Sequence, residues 1–215
     1  HGIYESEKKI KSKIYINVWH GMPLKNIGLL DGKHKAVVAS TDYTLSTSPR
    51  FTELMAQAFG ISIDKVLEIG LPRNDLLKAN FQEDYFVWLP TYRHSNKLDV
   101  RLDGEALPGL FGLSFSKIDL LNTLLVRNNL IIYVKPHPMD AAATTNRKFS
   151  NIIIIDEAYL IEKSTTLNSM LAKSKALISD VSSVVVDYWL TEKPIFVTLL
   201  RCFYVPTVVI NLARE

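Results

Sequence analysis

A chain of 215 residues, 47% of them hydrophobic, can build one large α/β unit or parts of two, and no apolar run reaches the roughly 18 residues that a membrane-spanning helix needs. Its 25 basic and 22 acidic side chains leave a net charge of +3, too mild to make nucleic acid the main partner, although a phosphate-rich substrate or an anionic membrane surface remains compatible. The single cysteine, Cys202, excludes an internal disulfide and a cysteine metal cluster, and fits a reducing cytoplasm.

The first residues lack a signal-peptide pattern, because Glu5, Glu7 and the lysines Lys8, Lys9, Lys11 and Lys13 precede the first apolar run. Export is therefore not expected. A start on His1 and an end on Arg214-Glu215 read as a fragment or processed form. The alternating, β-branched and aromatic run Lys13 to Trp19 predicts a strand that ends at His20-Gly21. Ala36 to Ala39 reads as a second short strand. Ser48-Pro49 then opens an amphipathic helix over Arg50 to Phe59, closed by Gly60. Val66 to Ile69 is a further strand, stopped by Gly70. From Leu76 to Asp84 the chain turns polar and helical, and a domain boundary is placed there, dividing residues 1–80 from 84–215.

In the second part, Tyr85 to Leu89 predicts a buried strand halted by Pro90, and Arg93 to Gly112 a long irregular loop of the kind that carries function. There follow a helix over Ser116 to Asn128, strands over Leu130 to Val134 and Ile152 to Ile155, and a helix over Ser164 to Ala172. A strand over Ala176 to Ser179, a helix over Ser182 to Leu190 and a strand over Pro194 to Thr198 complete the pattern. Alternating strands and helices of this kind specify an α/β fold with parallel strands.

Open parallel sheets bind ligands outside the carboxyl ends of their strands, so residues that directly follow a strand are the site candidates. Five clusters qualify: Trp19-His20-Gly21, G-L-P-R-N-D at 70–75, P-T-Y-R at 90–93, K-P-H-P at 135–138 and S-D-V-S-S at 179–183. A histidine after a strand is a hydrogen-bonded loop residue or a catalyst, and two of them at equivalent points, His20 and His137, favour the second. Ser182 and Ser183 lie between a strand and a helix, where hydroxyls and free backbone N–H groups make either an anion site or an ordinary N-cap; both readings stay open. Asp180 would repel a phosphate and fits better as a group that orients its neighbours. Arg93, Lys25 and Arg73 are cations that could hold phosphate oxygens. No G-x-G-x-x-G, P-loop, H-E-x-x-H or G-x-S-x-G motif is present, which argues against ordinary dinucleotide or P-loop binding and takes the main support from zinc-peptidase and α/β-hydrolase readings.

In this order, the words V-W-H-G-M-P-L-K-N-I-G, G-L-P-R-N-D, L-P-T-Y-R, V-K-P-H-P and L-I-S-D-V-S-S-V-V-V-D-Y-W-L-T-E-K-P-I-F-V resemble the CDP-glycerol glycerophosphotransferase family, whose members build teichoic acid and related capsular phosphopolymers. They span roughly Asn17 to Val197. The resemblance implies a GT-B-like arrangement of two Rossmann-like domains with parallel sheets facing across a cleft. The first domain would be an acceptor-side domain, apparently incomplete, and the second would bind the CDP-activated donor. It further implies attack by a terminal polyol hydroxyl on the β-phosphorus of CDP-glycerol, with release of CMP.

By analogy His20 is the candidate base and His137 steadies the diphosphate or the leaving CMP, while Arg93, Ser182 and Ser183 hold phosphate oxygens and Asp180 orients. Where the family commonly has tyrosine this chain has Val181, and the stretch from Arg201 to Pro206 departs from the family pattern. No cofactor beyond the CDP-glycerol substrate is assigned. No metal ligand is assigned either, since no carboxylate cluster of Mg²⁺ character is evident, and a divalent metal stays open. The implied partners are a CDP-activated polyol donor and a lipid-linked polymer acceptor, at the cytoplasmic face of the plasma membrane with peripheral attachment. Two rivals stand beside this reading: a GT-B glycosyltransferase using a sugar nucleotide, and a non-catalytic module that binds nucleotide or polymer.

Overall fold

The computed structural model describes residues 12–31, 41–90, 114–136, 147–180 and 182–198. The expected strand at Ala36 to Ala39 and the loop from Arg93 to Gly112 fall outside them, as do Arg201 to Pro206. The chain divides into two compact units, His1–Asp75 and Leu76–Glu215. Among the described residues no helix is long and apolar enough to cross a membrane.

The first unit carries a three-stranded parallel sheet of β1 (Ile16–Asn17), β2 (Tyr43–Ser46) and β3 (Val66–Glu68), in that order. Helix α1 (Pro49–Phe59) packs on β2 and β3. It starts where Ser48 is extended and Pro49 supplies a preset helical φ, and it stops where Gly60 adopts φ +63, a left-handed cap that glycine accepts without strain. Its inner face buries Met55, Ala56, Ala58 and Phe59, beside Leu45 of β2 and Val66 of β3 in the same unit.

Strand β2 was not among the elements expected from sequence. Its buried positions include Thr44 and Ser46, polar residues that read as loop. Burial is tolerated because each hydroxyl is bonded: Thr44 Oγ1 donates to the Asn17 carbonyl at 3.1 Å, and Ser46 Oγ meets Thr52 Oγ1 at 2.6 Å. The stretch from Leu76 to Asp84, expected to be helical, is the end of a 3-10 turn over Pro72–Leu77 followed by irregular chain.

The second unit holds a five-stranded parallel sheet in the order β6-β5-β4-β7-β8, with β4 (Tyr85–Leu89) central, β5 (Ile131–Val134) and β6 (Ile152–Ile154) to one side, and β7 (Ala176–Ser179) and β8 (Ile195–Val197) to the other. Both faces of β4 are covered, which is why its sequence is a continuous apolar run. Tyr85, Val87 and Leu89 enter a core with Leu171, Leu177, Val185 and Tyr188. Phe86 and Trp88 enter a second core with Ile118, Leu125, Ile132, Val134 and Ile152. Helix α2 (Phe115–Arg127) brings Ile118 and Leu125 to that face.

Among the described residues three short helices accompany the sheet. Helix α3 (Glu157–Glu162), unexpected from sequence, is capped by Asp156, whose carboxylate accepts from the Tyr159 amide at 2.8 Å. Helix α4 (Leu167–Lys173) is capped by Thr166, and α5 (Val184–Tyr188) runs into a 3-10 turn over Trp189–Thr191. Because sheet growth reverses between β4 and β7, the crevice outside their carboxyl ends is the ligand position that an open α/β sheet offers.

Candidate functional site

In the first unit, the carboxyl end of β1 leads directly into Trp19-His20-Gly21. Trp19 has φ +30, a conformation that a β-carbon disfavours by about 1–2 kcal/mol. Neighbouring groups hold it there. The Trp19 amide donates to Asn17 Oδ1 at 2.9 Å, and the Trp19 ring stands edge-on to Phe59 of α1, with centroids 5.1 Å apart. The His20 ring stacks on the Trp19 ring, with centroids 4.2 Å apart and planes 29° from parallel. Arg73 reaches over from the turn after β3 and donates through Nη1 to the His20 carbonyl at 2.6 Å.

His20 is exposed by surface area, yet enough protein surrounds its ring to count electrostatically. Desolvation, followed by the positive charge of Arg73, lowers its pKa from the ordinary value of 6.5. The imidazole is therefore unprotonated at neutral pH and able to accept a proton. Lys25 is half-buried in the loop between Pro23 and the 3-10 turn Gly28–Leu30. The carboxyl ends of β2 and β3 are joined on the same edge, where the Gly70 amide donates to the Ser46 carbonyl at 2.9 Å and Thr52 Oγ1 donates to Glu68 Oε2 at 3.0 Å.

In the second unit, the S-D-V-S-S segment follows β7 beside the end of β4. Ser179 is fully buried and donates to the Leu89 carbonyl at 2.7 Å, while its own carbonyl accepts from the Thr198 amide at 2.7 Å. Those bonds tie together the ends of β4, β7 and β8. Asp180 is buried, and the Ser182 amide donates to its carbonyl at 2.9 Å. Ser182 and Ser183 are half-buried. Ser183 sits in helical geometry, and its side chain makes no capping bond to α5; Ser182 Oγ accepts only a long 3.5 Å contact from the Val184 amide. Their hydroxyls are thus little engaged by the helix start.

At the end of β5 the Lys135 amide donates to the Trp88 carbonyl at 3.0 Å, and its ammonium, mostly buried, pairs with the exposed Glu157 at 2.9 Å. Arg93 and His137 lie outside the described residues. The structure brings His20 and Arg73 together, and separately groups Asp180, Ser182 and Ser183. Sequence reasoning passed over Asn17, Ser46 and Thr52. A polar residue inside an alternating apolar strand was the available signal for Asn17; nothing in the sequence marked Thr52.

Residues 3–200 match the family model described as CDP-Glycerol:Poly(glycerophosphate) glycerophosphotransferase. The chain is similar to the teichoic acid glycerol-phosphate transferase of Staphylococcus aureus, with 26% identity over 84% of this chain and 50% of the relative. It is also similar to the teichoic acid glycerol-phosphate primase of Bacillus subtilis, with 25% identity over 87% of this chain and 50% of the relative. Among solved structures, the wall teichoic acid polymerase TagF aligns with a TM-score of 0.64 at 23% identity, covering 89% of this chain and 51% of that one. A histidine-to-asparagine variant of TagF soaked with CDPG aligns with a TM-score of 0.65 at 26% identity, over the same shares. The chain spans about half the length of these proteins.

Proposed function

The chain belongs to the CDP-glycerol:poly(glycerophosphate) glycerophosphotransferase family, and from that premise we propose that it transfers glycerol phosphate, or a related polyol phosphate, from a CDP-activated donor to the hydroxyl end of a teichoic-acid or capsular polymer. In that reaction the acceptor oxygen forms a bond to the β-phosphorus of the donor, the bond from that phosphorus to the bridging oxygen breaks, and CMP leaves with the electron pair. The hydroxyl proton goes to a base. His20 has that role, and the observation that carries the reading is its placement: an imidazole held at a strand end on the Trp19 ring, with its pKa lowered so that the neutral form dominates near pH 7.

The developing phosphate charge needs cations and hydrogen-bond donors. Arg93, Ser182 and Ser183 supply them, with Lys25 a further cation near His20 in the sequence. His137 steadies the diphosphate or the departing CMP, and Asp180 orients the segment that carries the serines. A lipid-linked acceptor places the work at the inner face of the plasma membrane, with the protein attached peripherally.

CMP release from CDP-glycerol in the presence of a glycerol-phosphate acceptor tests this. His20→Ala is expected to lower transfer by about 10²- to 10⁴-fold, with donor affinity by calorimetry nearly unchanged. A large loss of donor affinity would refute the assigned role. Turnover of UDP-sugars without turnover of CDP-glycerol would replace the whole reading by that of a sugar-nucleotide glycosyltransferase, and donor binding without CMP release by that of a binding module.

A further inference from the structure

Arg73 has the chemistry of a phosphate ligand, but its guanidinium is directed at the protein. It donates to the backbone carbonyl of His20 at 2.6 Å, from 53 positions further along the chain. A bond from a cation at that distance is charge-assisted and stronger than a neutral one. The turn it grips needs holding, because Trp19 occupies a positive φ that its side chain disfavours. Asn17 anchors the amide on one side of that residue, and Arg73 anchors the carbonyl of the next. With the backbone pinned at both ends, the Trp19 ring contacts both the Phe59 ring and the imidazole.

We propose that Arg73 is a positioning residue for His20, fixing the W-H-G turn through the His20 carbonyl and keeping a permanent positive charge beside the imidazole. The proposal rests on the reading of His20 as the base. A guanidinium suits the task because it stays protonated throughout the pH range of the enzyme, so its field on His20 does not switch. Together with desolvation, that field holds the imidazole below its ordinary pKa. The rings packed on the turn, Trp19 and Phe59, carry no charge. Further charged groups on this edge of the sheet are Lys25 in the loop after β1, Glu68 at the end of β3 and Asp75 in the turn that holds Arg73. The link also gives a physical reason for G-L-P-R-N-D and V-W-H-G to occur together in one chain.

An NMR titration of the histidine ring signals reads this directly, with His20 identified by the signal lost in His20→Gln. In the native chain the His20 midpoint is expected below the ordinary value, because burial and then the Arg73 charge disfavour the protonated ring. Arg73→Gln is expected to raise it toward the ordinary value. The acid limb of CMP release against pH should move up with it, while KM for CDP-glycerol stays within about threefold. An unmoved midpoint in a folded Arg73→Gln chain would overturn the proposal. So would a tenfold rise in KM with an unmoved acid limb, which would make Arg73 a donor contact. If Arg73→Gln does not fold, Arg73→Lys decides: the charge is kept and the planar fork lost, so kcat should fall about three- to tenfold at constant KM, and an unchanged kcat counts against the clamp. Full CMP release by His20→Gln would defeat the base reading alone, since the titration midpoint still reports on the clamp.

Discussion

In the five-stranded sheet, β4 alternates its side chains into two apolar cores, and residues such as Val87 and Leu177 are wholly removed from solvent. In the three-stranded sheet, strands of two to four residues bury Asn17, Thr44 and Ser46, whose side chains make directed bonds: Thr44 to the Asn17 carbonyl of the next strand, Ser46 to Thr52 of α1, and Asn17 to the Trp19 amide of the turn. Apolar burial is proportional to area and has no direction, so it stabilises a scaffold without aiming any one group. Hydrogen bonds contribute less per contact but fix angles. The turn that presents His20 stands on the second kind of sheet. Damage to the five-stranded sheet should therefore appear as lost stability alone, and damage to the three-stranded sheet as a misplaced imidazole in addition.

The largest expected effect tests the apolar half of that contrast. Leu177 is fully buried in β7 and packs in the core shared by Val87, Leu89, Val185 and Tyr188. Leu177→Ala removes buried methyl groups and leaves a cavity, at a cost of about 3 kcal/mol. Hydrogen exchange of the β4 and β7 amides should quicken accordingly, while the His20 titration midpoint stays where it is in the native chain. A shifted His20 midpoint would mean that the two units do not respond separately.

Gly28→Ala tests the other half. Gly28 opens the 3-10 turn of the N-I-G segment with φ +53, and a β-carbon there would collide with the Ala58 carbonyl oxygen. The obstacle is backbone of α1, which cannot rotate aside, and the positive φ adds strain of its own. A loss of roughly 2–3 kcal/mol is expected. It should be confined to the first unit and accompanied by a changed His20 ring signal, because the C-terminal turn of α1 carries both Ala58 and the Phe59 ring that abuts Trp19. Unchanged exchange rates in β2 and β3 would refute it.

What was legible in the sequence follows the same division. Tyr85–Leu89 and Ala176–Ser179 were read to the residue, because a strand buried on both faces is an apolar run between polar stops. β2 was not, since Thr44 and Ser46 become acceptable core residues only through partners at Asn17 and Thr52. Helix α3 has six residues, too few to show a helical period. The polar stretch after Leu77 mimics an exposed helix, though the preceding Pro72 turn is 3-10 and no helix continues from it. At the site, His20 was marked by its position after a strand. The bond from Arg73 was not, because local pattern carries no information about a contact between loops that follow different strands. Ser182 and Ser183 were placed correctly at a helix start, but the helix is shorter than its apolar pattern implied, and neither side chain is firmly engaged by it.

The smallest effect concerns pH, and it bears on the polar sheet alone. Among the described residues His20 is the sole histidine, and its folded pKa lies below the 6.5 of an unfolded chain. As pH falls, the unfolded state takes up the proton first, so stability linked to this group is fully present above about pH 6.5 and declines as pH drops through the folded value. The exposed edge of the imidazole keeps the effect modest. Carboxylates begin to titrate in the same range, so the informative quantity is the difference in urea midpoint between the native chain and His20→Gln. That difference should shift against the native chain from about pH 7.5 to about pH 5.5, with the change visible in amides of the three-stranded sheet and absent from those of β4 and β7. A difference that stays constant with pH would mean that the Trp19 stack and the Arg73 clamp hold the protonated ring as well as the neutral one, and the turn would then owe its shape to packing rather than to charge.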